Sequence, residues 1–180
     1  MKLLLHTCCA PCLLCPLGQL RQEGFEPSIF FYNPNIHPLI EYNQRKAAVV
    51  FYAKRQYIKA ICPDYLPEEF FQAVNFKEKR PHRCSLFWSF CFQKTAEFAR
   101  DAGFKYFSST LLVSPYKDHE VLKRIGRDIA RETGIEFYYR DFRPGFRMAH
   151  QQAKKEGIYC QRYCGCIYSE LERCQKSQRH

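Results

Sequence analysis

Lys2-Leu3-Leu4-Leu5-His6-Thr7-Cys8-Cys9-Ala10-Pro11-Cys12 opens the chain. Lys2–Thr7 reads as a short buried strand, because an unbroken apolar run suits a strand covered on both faces. The turn Cys8-Cys9-Ala10-Pro11 follows, and proline is well tolerated in the first turn of a helix. That helix is expected to run to about Glu23, with Gly24 as its stop. A strand feeding a helix through a tight turn is the first half of a strand–helix–strand unit. If the pattern recurs, the fold is a parallel α/β sheet, and its ligand site lies beyond the carboxyl ends of the strands. Cys8 and Cys9 stand at that position.

The pattern does recur. Further strands are expected at Pro27–Tyr32, Tyr57–Ile61, Lys105–Ser109 and Glu136–Arg140. Helices are expected at about Leu39–Lys54, Pro67–Val74, Ser85–Ala102, Asp118–Thr133 and Phe146–Glu156, several of them stopped by glycine. The tail from Cys166 to Gln175 reads as a helical, cysteine-containing C-terminal segment. Asn33-Pro34-Asn35, Thr110 and Asp141 each follow a strand, so they are expected to converge with Cys8 and Cys9 on one edge. No repeat, low-complexity stretch or linker divides residues 1–180, which read as one Rossmann-like domain.

Hydrophobic residues make up 46% of the chain and charged residues 26%, a globular balance without an apolar run of membrane-spanning length. The opening apolar run is too short for a secretory signal, so a cytoplasmic protein without membrane partners is expected. Eleven cysteines is an odd number, so complete internal pairing is impossible. Cytosolic thiols are normally reduced, which favours metal binding or catalysis over disulfides. The 28 Lys and Arg against 18 Asp and Glu give a net charge of +10, which points to a polyanionic partner, nucleic acid first. Sixteen Phe and twelve Tyr supply stacking surfaces, though most belong to the core.

The cysteines fall into three groups. In Cys8-Cys9-Ala10-Pro11-Cys12-Leu13-Leu14-Cys15, the gaps Cys9/Cys12 and Cys12/Cys15 let two thiolates reach one metal or cluster. Cys8 and Cys9 precede a helix, whose positive end favours thiolate; Cys15 also reads well as a core residue. Cys84 and Cys91 share a helix face but would lie ~10 Å apart if both sat mid-helix, too far for one mononuclear metal. Cys91 has a competing reading as a core residue among Phe87, Trp88, Phe90 and Phe92. Cys164-Gly165-Cys166 is an unlikely core element and reads as metal-binding or redox-active. Cys62, Cys160 and Cys174 are assigned to packing or surface. A tetranuclear iron–sulfur cluster takes ~4 thiolates, so the good candidates leave donors to spare or imply a second centre.

At these residues the chain resembles a known family. The stretches Leu4–Cys12, Phe31–Pro38 with Glu41-Tyr42, Thr110–Tyr116 with His119-Glu120, Tyr139–Arg143 with Gly145-Phe146, and Tyr163–Cys166 together resemble the QueH family of cobalamin-independent epoxyqueuosine reductases. The resemblance implies a nucleotide-binding α/β fold of the HUP type, an iron–sulfur centre and a tRNA substrate carrying epoxyqueuosine at the wobble position. It also implies a two-electron removal of the epoxide oxygen, the last step of queuosine biosynthesis. One departure stands out: the family pattern Arg-Cys-x-x-Cys is present as Arg83-Cys84, but Phe87 occupies the second cysteine position and Cys91 lies one turn later.

The reading that follows is a [4Fe–4S] cluster on Cys9, Cys84, Cys91 and Cys164, beside a possible second metal ion, iron, held by Cys8, Cys166 and Asp141. Asp141 is alternatively a general acid or an ion-pair partner of Arg140 or Arg143. Tyr116, His119 and Tyr139 are candidate proton donors. Arg124, Arg127 and Arg131, or Lys77, Lys79, Arg80 and Arg83, are candidate phosphate contacts. The electron donor has no signature in the sequence. Two readings compete: a pyrophosphatase-loop tRNA-modifying enzyme, and a zinc-stabilised RNA-binding protein. The first requires a glycine-rich phosphate loop after the first strand, where Thr7–Cys12 has no glycine.

Overall fold

The computed structural model describes residues 1–178. Among them are five strands, β1 Lys2–His6, β2 Glu26–Phe30, β3 Ala60–Ile61, β4 Tyr106–Ser109 and β5 Glu136–Phe137. They form one sheet in the order β3-β2-β1-β4-β5, and every pairing is parallel. Strand β1 is central, and Leu3, Leu4 and Leu5 are fully buried on both of its faces, which is why its apolar run is unbroken. The chain leaves β1 toward β2 and later returns to β4 on the other side. The sheet therefore has its switch point between β1 and β4, where doubly wound folds place their ligands.

Among the described residues are seven α-helices, α1 Ala10–Gln22, α2 Leu39–Arg55, α3 Pro67–Val74, α4 His82–Asp101, α5 His119–Thr133, α6 Phe146–Lys155 and α7 Ile167–Ser177. The first six pack in two groups, α1 with α2 and α6, and α4 with α3 and α5, the layering of a doubly wound sheet. Helix α5 is capped by the Asp118 carboxylate, which accepts from the Val121 N–H at 3.0 Å, and it ends at Gly134 in the left-handed region (φ 74°). No described helix is long and apolar enough to cross a membrane.

Three differences from the sequence reading matter for the site. Helix α4 begins at His82 rather than Ser85, so Cys84 lies within its first turn. The two edge strands are shorter than expected: β3 keeps only Ala60–Ile61, because Tyr57 sits at φ 54°, outside strand geometry. After β4 the chain turns at once into a 3-10 turn, Thr110–Val113, whose start the Ser109 hydroxyl caps by accepting from the Leu111 N–H at 3.1 Å. β5 keeps only Glu136–Phe137: the Tyr138 N–H still donates to the Phe107 carbonyl at 2.9 Å, and Tyr139–Arg140 leaves the ladder.

Candidate active site at the strand ends

The carboxyl ends of β1, β2 and β4 are tied together by one buried imidazole. His6 Nδ1 lies 2.9 Å from the Ser109 hydroxyl and Nε2 lies 3.0 Å from the Tyr32 carbonyl. Burial lowers the His6 pKa, so the neutral ring is the form that this tie uses. Thr7 N–H donates to the Phe30 carbonyl at 2.9 Å, and Asn33 Nδ2 donates to the Thr7 carbonyl at 2.9 Å. Cys8 N–H donates to the Thr110 hydroxyl at 3.2 Å across the switch point. The expected convergence of Cys8, Asn33 and Thr110 is therefore built from specific hydrogen bonds.

Cys9 is the extended N-cap of α1 and Cys12 sits one turn in. The sulfurs of Cys8, Cys9 and Cys12 lie within 4.8 Å of one another. Hydrogen bonds from the Cys12 and Cys9 thiols hold the Cys8 thiol well below its ordinary range, against the burial that opposes charge there. Burial pushes Cys9 up, and the Cys8 and Cys9 partners push Cys12 up, so the triad shares its protons around one favoured thiolate. Cys15 faces away. A Cβ on Gly145 would come within 2.0 Å of its sulfur, so Cys15 is packed, half-buried, against the start of α6 at the edge of the core.

The Cys164 turn arrives from the far end of the chain, and a buried ion pair brings it. Arg45 on α2 is 1% exposed and binds Glu41 at 2.7 Å. Its two other nitrogens donate to the carbonyls of Cys164 (3.1 Å) and Tyr163 (3.0 Å). Glu41 also accepts from the Tyr159 hydroxyl, and the Tyr163 hydroxyl donates to the His37 carbonyl. Gly165 takes φ 142°, and a Cβ there would meet Asn35 Nδ2 at 3.0 Å. Arg45 was not singled out from sequence; only its i,i+4 spacing from Glu41 marks it.

These elements enclose a cavity of about 310 Å³ lined by Cys8, Cys12, Cys164, His6, Thr110, Phe87, Trp88, Tyr116 and Lys117 among others. Lys117 Nζ donates to Cys164 Sγ at 2.9 Å and sits 5.6 Å from the Trp88 ring. Burial opposes its charge, but the Cys164, Cys84 and Cys8 sulfurs outweigh it and hold its proton on. Gln161 Nε2 donates to Cys9 Sγ at 2.9 Å, leaving Oε1 as an acceptor. Among the described residues, the buried polar atoms without a partner include Asn35 Oδ1, His150 Nε2 and Gln161 Oε1, and all three residues line this cavity. Sequence reading singled out none of Lys117, His150 and Gln161 for the site, because only the fold brings these residues together.

The remaining candidates stand elsewhere. Cys84 is half-buried on α4, near enough to Lys117 and Cys164 to interact electrostatically. Cys91 is fully buried in the core with its sulfur 4.0 Å from the Tyr32 carbonyl, and it is not among the cavity residues. Phe87, where the family pattern has its second cysteine, lines the cavity instead. Cys166 is buried as the N-cap of α7. Asp141 is gripped by Arg143 at 2.8 and 2.6 Å, which holds its carboxyl down to about 2. His119 is buried, with Nε2 3.2 Å from the Ser114 carbonyl and Nδ1 3.5 Å from the Tyr139 hydroxyl. Asp141, His119 and Tyr139 do not line the cavity, whereas Tyr116 does, at its exposed rim.

Residues 3–172 match the family model described as epoxyqueuosine reductase QueH. A protein named epoxyqueuosine reductase QueH from Thermotoga maritima is 39% identical over 181 residues, covering 96% of this chain and 92% of its own length. One of the same name from Dehalococcoides mccartyi is 36% identical over 173 residues, covering 96% and 94%. Among solved structures, one described as a predicted subunit of tRNA methyltransferase from Methanocaldococcus jannaschii is similar with a TM-score of 0.54 at 10% identity. It covers 86% of this chain and 76% of that one, and the likeness bears on the fold alone.

Proposed function

The chain belongs to the epoxyqueuosine reductase QueH family, and from that premise we propose that its strand-end cavity receives the epoxide-bearing nucleoside of a tRNA. The reaction is a reduction: two electrons and two protons convert the epoxide to the alkene and release its oxygen as water. The target base sits in a loop, so it is inserted into the cavity as an unstacked nucleotide. A tRNA substrate supports a cytoplasmic location.

The observation that carries this reading is the meeting of Cys8, Cys12, Cys164 and Lys117 on one cavity with three unpartnered polar atoms. A soft, sulfur-only donor set with a favoured thiolate fits an iron–sulfur cluster better than a hard cation. Cys8, Cys9 and Cys12 would hold it, with Cys84 or Cys164 as the fourth donor. Within the expected ligand set, Cys91 is fully buried in the core and Cys166 is the buried N-cap of α7, while Asp141 joins a second iron only by exchanging Arg143 for it. When bound, such groups supply single electrons and Lewis acidity.

The chain's own residues do the rest. Lys117 keeps a positive charge and a proton at the wall where negative charge collects. Phe87 and Trp88 limit water on one side. Asn35 Oδ1 and Gln161 Oε1 present acceptors, suited to the hydroxyl and amine donors of the modified base, and His150 Nε2 supplies a further polar contact.

The test is anaerobic purification with iron and acid-labile sulfide analysis, followed by turnover of epoxyqueuosine-containing tRNA with a chemical reductant. Iron, sulfide and alkene product support the reading. Zinc without sulfide, or turnover that requires ATP, overturns it. In the same assay, Asp141→Asn keeps its full iron and sulfide content unless Asp141 ligates a second iron, in which case iron falls and sulfide does not.

A further inference from the structure

The sequence offers two sets of cations for an RNA backbone, and the structure buries or pairs one member of each. Arg83 is 3% exposed and its terminal nitrogens are taken: Nη1 donates to the Glu78 carbonyl (2.6 Å), Nη2 pairs with Glu172 (2.7 Å), and the guanidinium lies 5.1 Å from the Tyr168 ring. Arg124, Arg127 and Arg131 on α5 border a shallow depression with Glu120 and Asp128, and Arg131 is already paired with Asp128 at 3.0 Å. That depression shares no residue with the catalytic cavity.

A different groove does. It holds about 420 Å³ and is bordered by Arg80, Arg162, Tyr163, Arg173 and Lys176, with Cys164 at its inner end. Arg80, Arg162, Tyr163 and Cys164 belong to both the groove and the cavity. Its single carboxylate, Glu172, is occupied by Arg80 (3.0 Å) and Arg83 (2.7 Å). Among the described residues, Arg162, Arg173 and Lys176 have no acidic partner. Arg173 and Lys176 stand one turn apart on the exposed face of α7, a spacing that keeps both on one side.

We infer that this α7 groove, and not the basic face of α5, carries the ribose–phosphate backbone of the RNA strand that flanks the inserted nucleotide. A strand whose base enters the cavity must leave it along a continuous path, and the groove is the basic one that joins it. Tyr163 stands at the junction, where an aromatic ring can stack on a neighbouring base. The inference rests on the tRNA reading above, but its test does not depend on turnover.

Two charge-reversal pairs in the full-length, anaerobically prepared protein decide it: Arg173→Glu/Lys176→Glu, and Arg124→Glu/Arg127→Glu as comparator. Affinity for unmodified tRNA is measured by fluorescence anisotropy across a salt series. The α7 pair is expected to weaken binding at least ~10-fold and to flatten the log–log salt slope by about 1.4, two contacts at ~0.7 each for single strands. Its iron content and its reduction of the free epoxyqueuosine nucleoside stay at the unmodified level, and the α5 pair binds tRNA normally. If the α7 pair itself loses iron, the neutral pair Arg173→Gln/Lys176→Gln replaces it, with the same slope expected. Normal tRNA binding by the α7 variants, or equal loss in the α5 pair, overturns the assignment. Failure of the unmodified protein to reduce epoxyqueuosine in any form overturns the functional reading instead and leaves the binding result standing.

Discussion

Replacing Arg45 by methionine tests how the Cys164 turn is held. The side chain is 1% exposed and makes a 2.7 Å ion pair with Glu41 and two hydrogen bonds to the carbonyls of Tyr163 and Cys164. Methionine fills much of the volume but leaves Glu41 buried with only the Tyr159 hydroxyl as partner. Removing one member of a buried pair costs about 3–5 kcal/mol, mainly through the stranded charge. For a chain of this size that corresponds to a fall in Tm of about 6–20 °C. The assay is urea and thermal unfolding of the apo-protein, with Glu41→Leu introduced alone and in the Arg45→Met background. The double variant is expected to recover much of the loss, because no unpaired charge remains. Its Tyr163 and Cys164 carbonyls stay unpaired, so its Cys164 turn is still loosened and its iron retention remains poor. A loss below about 1 kcal/mol in Arg45→Met, or no recovery in the double variant, would refute the clamp.

Three other expectations follow from the same geometry. Cys8→Ser and Cys12→Ser should each abolish stable iron and sulfide incorporation, whereas Cys62→Ser and Cys174→Ser should not; metal analysis of the four proteins separates them. His6 is neutral in the fold because burial lowers its pKa. Its contribution is therefore complete above the ordinary histidine value of about 6.5, and as pH falls below that the unfolded chain takes up the proton first. Apo-protein stability should then drop by up to about 1.4 kcal/mol per pH unit for this group, and His6→Leu should lose stability outright while flattening that slope. His150→Phe keeps the packing against Phe146 (ring centroids 4.3 Å) but removes the unpartnered Nε2. It should raise KM for the modified tRNA about tenfold with iron content unchanged, the scale of about 1.4 kcal/mol for one lost hydrogen bond. An unaltered KM would show that Nε2 faces only water.

The central reading of the fold needed little more than Lys2–Cys12. Leu3–Leu5 are apolar on both faces because β1 is central, and Pro11 starts α1 because the first turn has no hydrogen bond to lose. These are local facts, set by backbone geometry and by the period of burial, and they carried Cys8 and Cys9 to the strand end. The family motifs were likewise contiguous stretches, so they were legible without a fold. The edge strands β3 and β5 were overextended, because their length depends on neighbours that the periodicity of one segment does not contain.

The composition of the site belonged to tertiary structure. Cys84 and Cys91 share a helix face, yet Cys91 is fully buried in the core while Phe87 lines the cavity, a difference that exists only once α4 is packed in the fold. Lys117, His150, Gln161 and Cys164 meet Cys8 from segments more than 100 residues away, and the Cys164 turn is held there by the Arg45–Glu41 pair and its hydrogen bonds to carbonyls. Spacing along a chain fixes which atoms are near within a turn or two. Which distant thiols, amides and ammonium groups share one cavity is settled by packing and by buried charge finding its partner, and those exist only once the chain has folded.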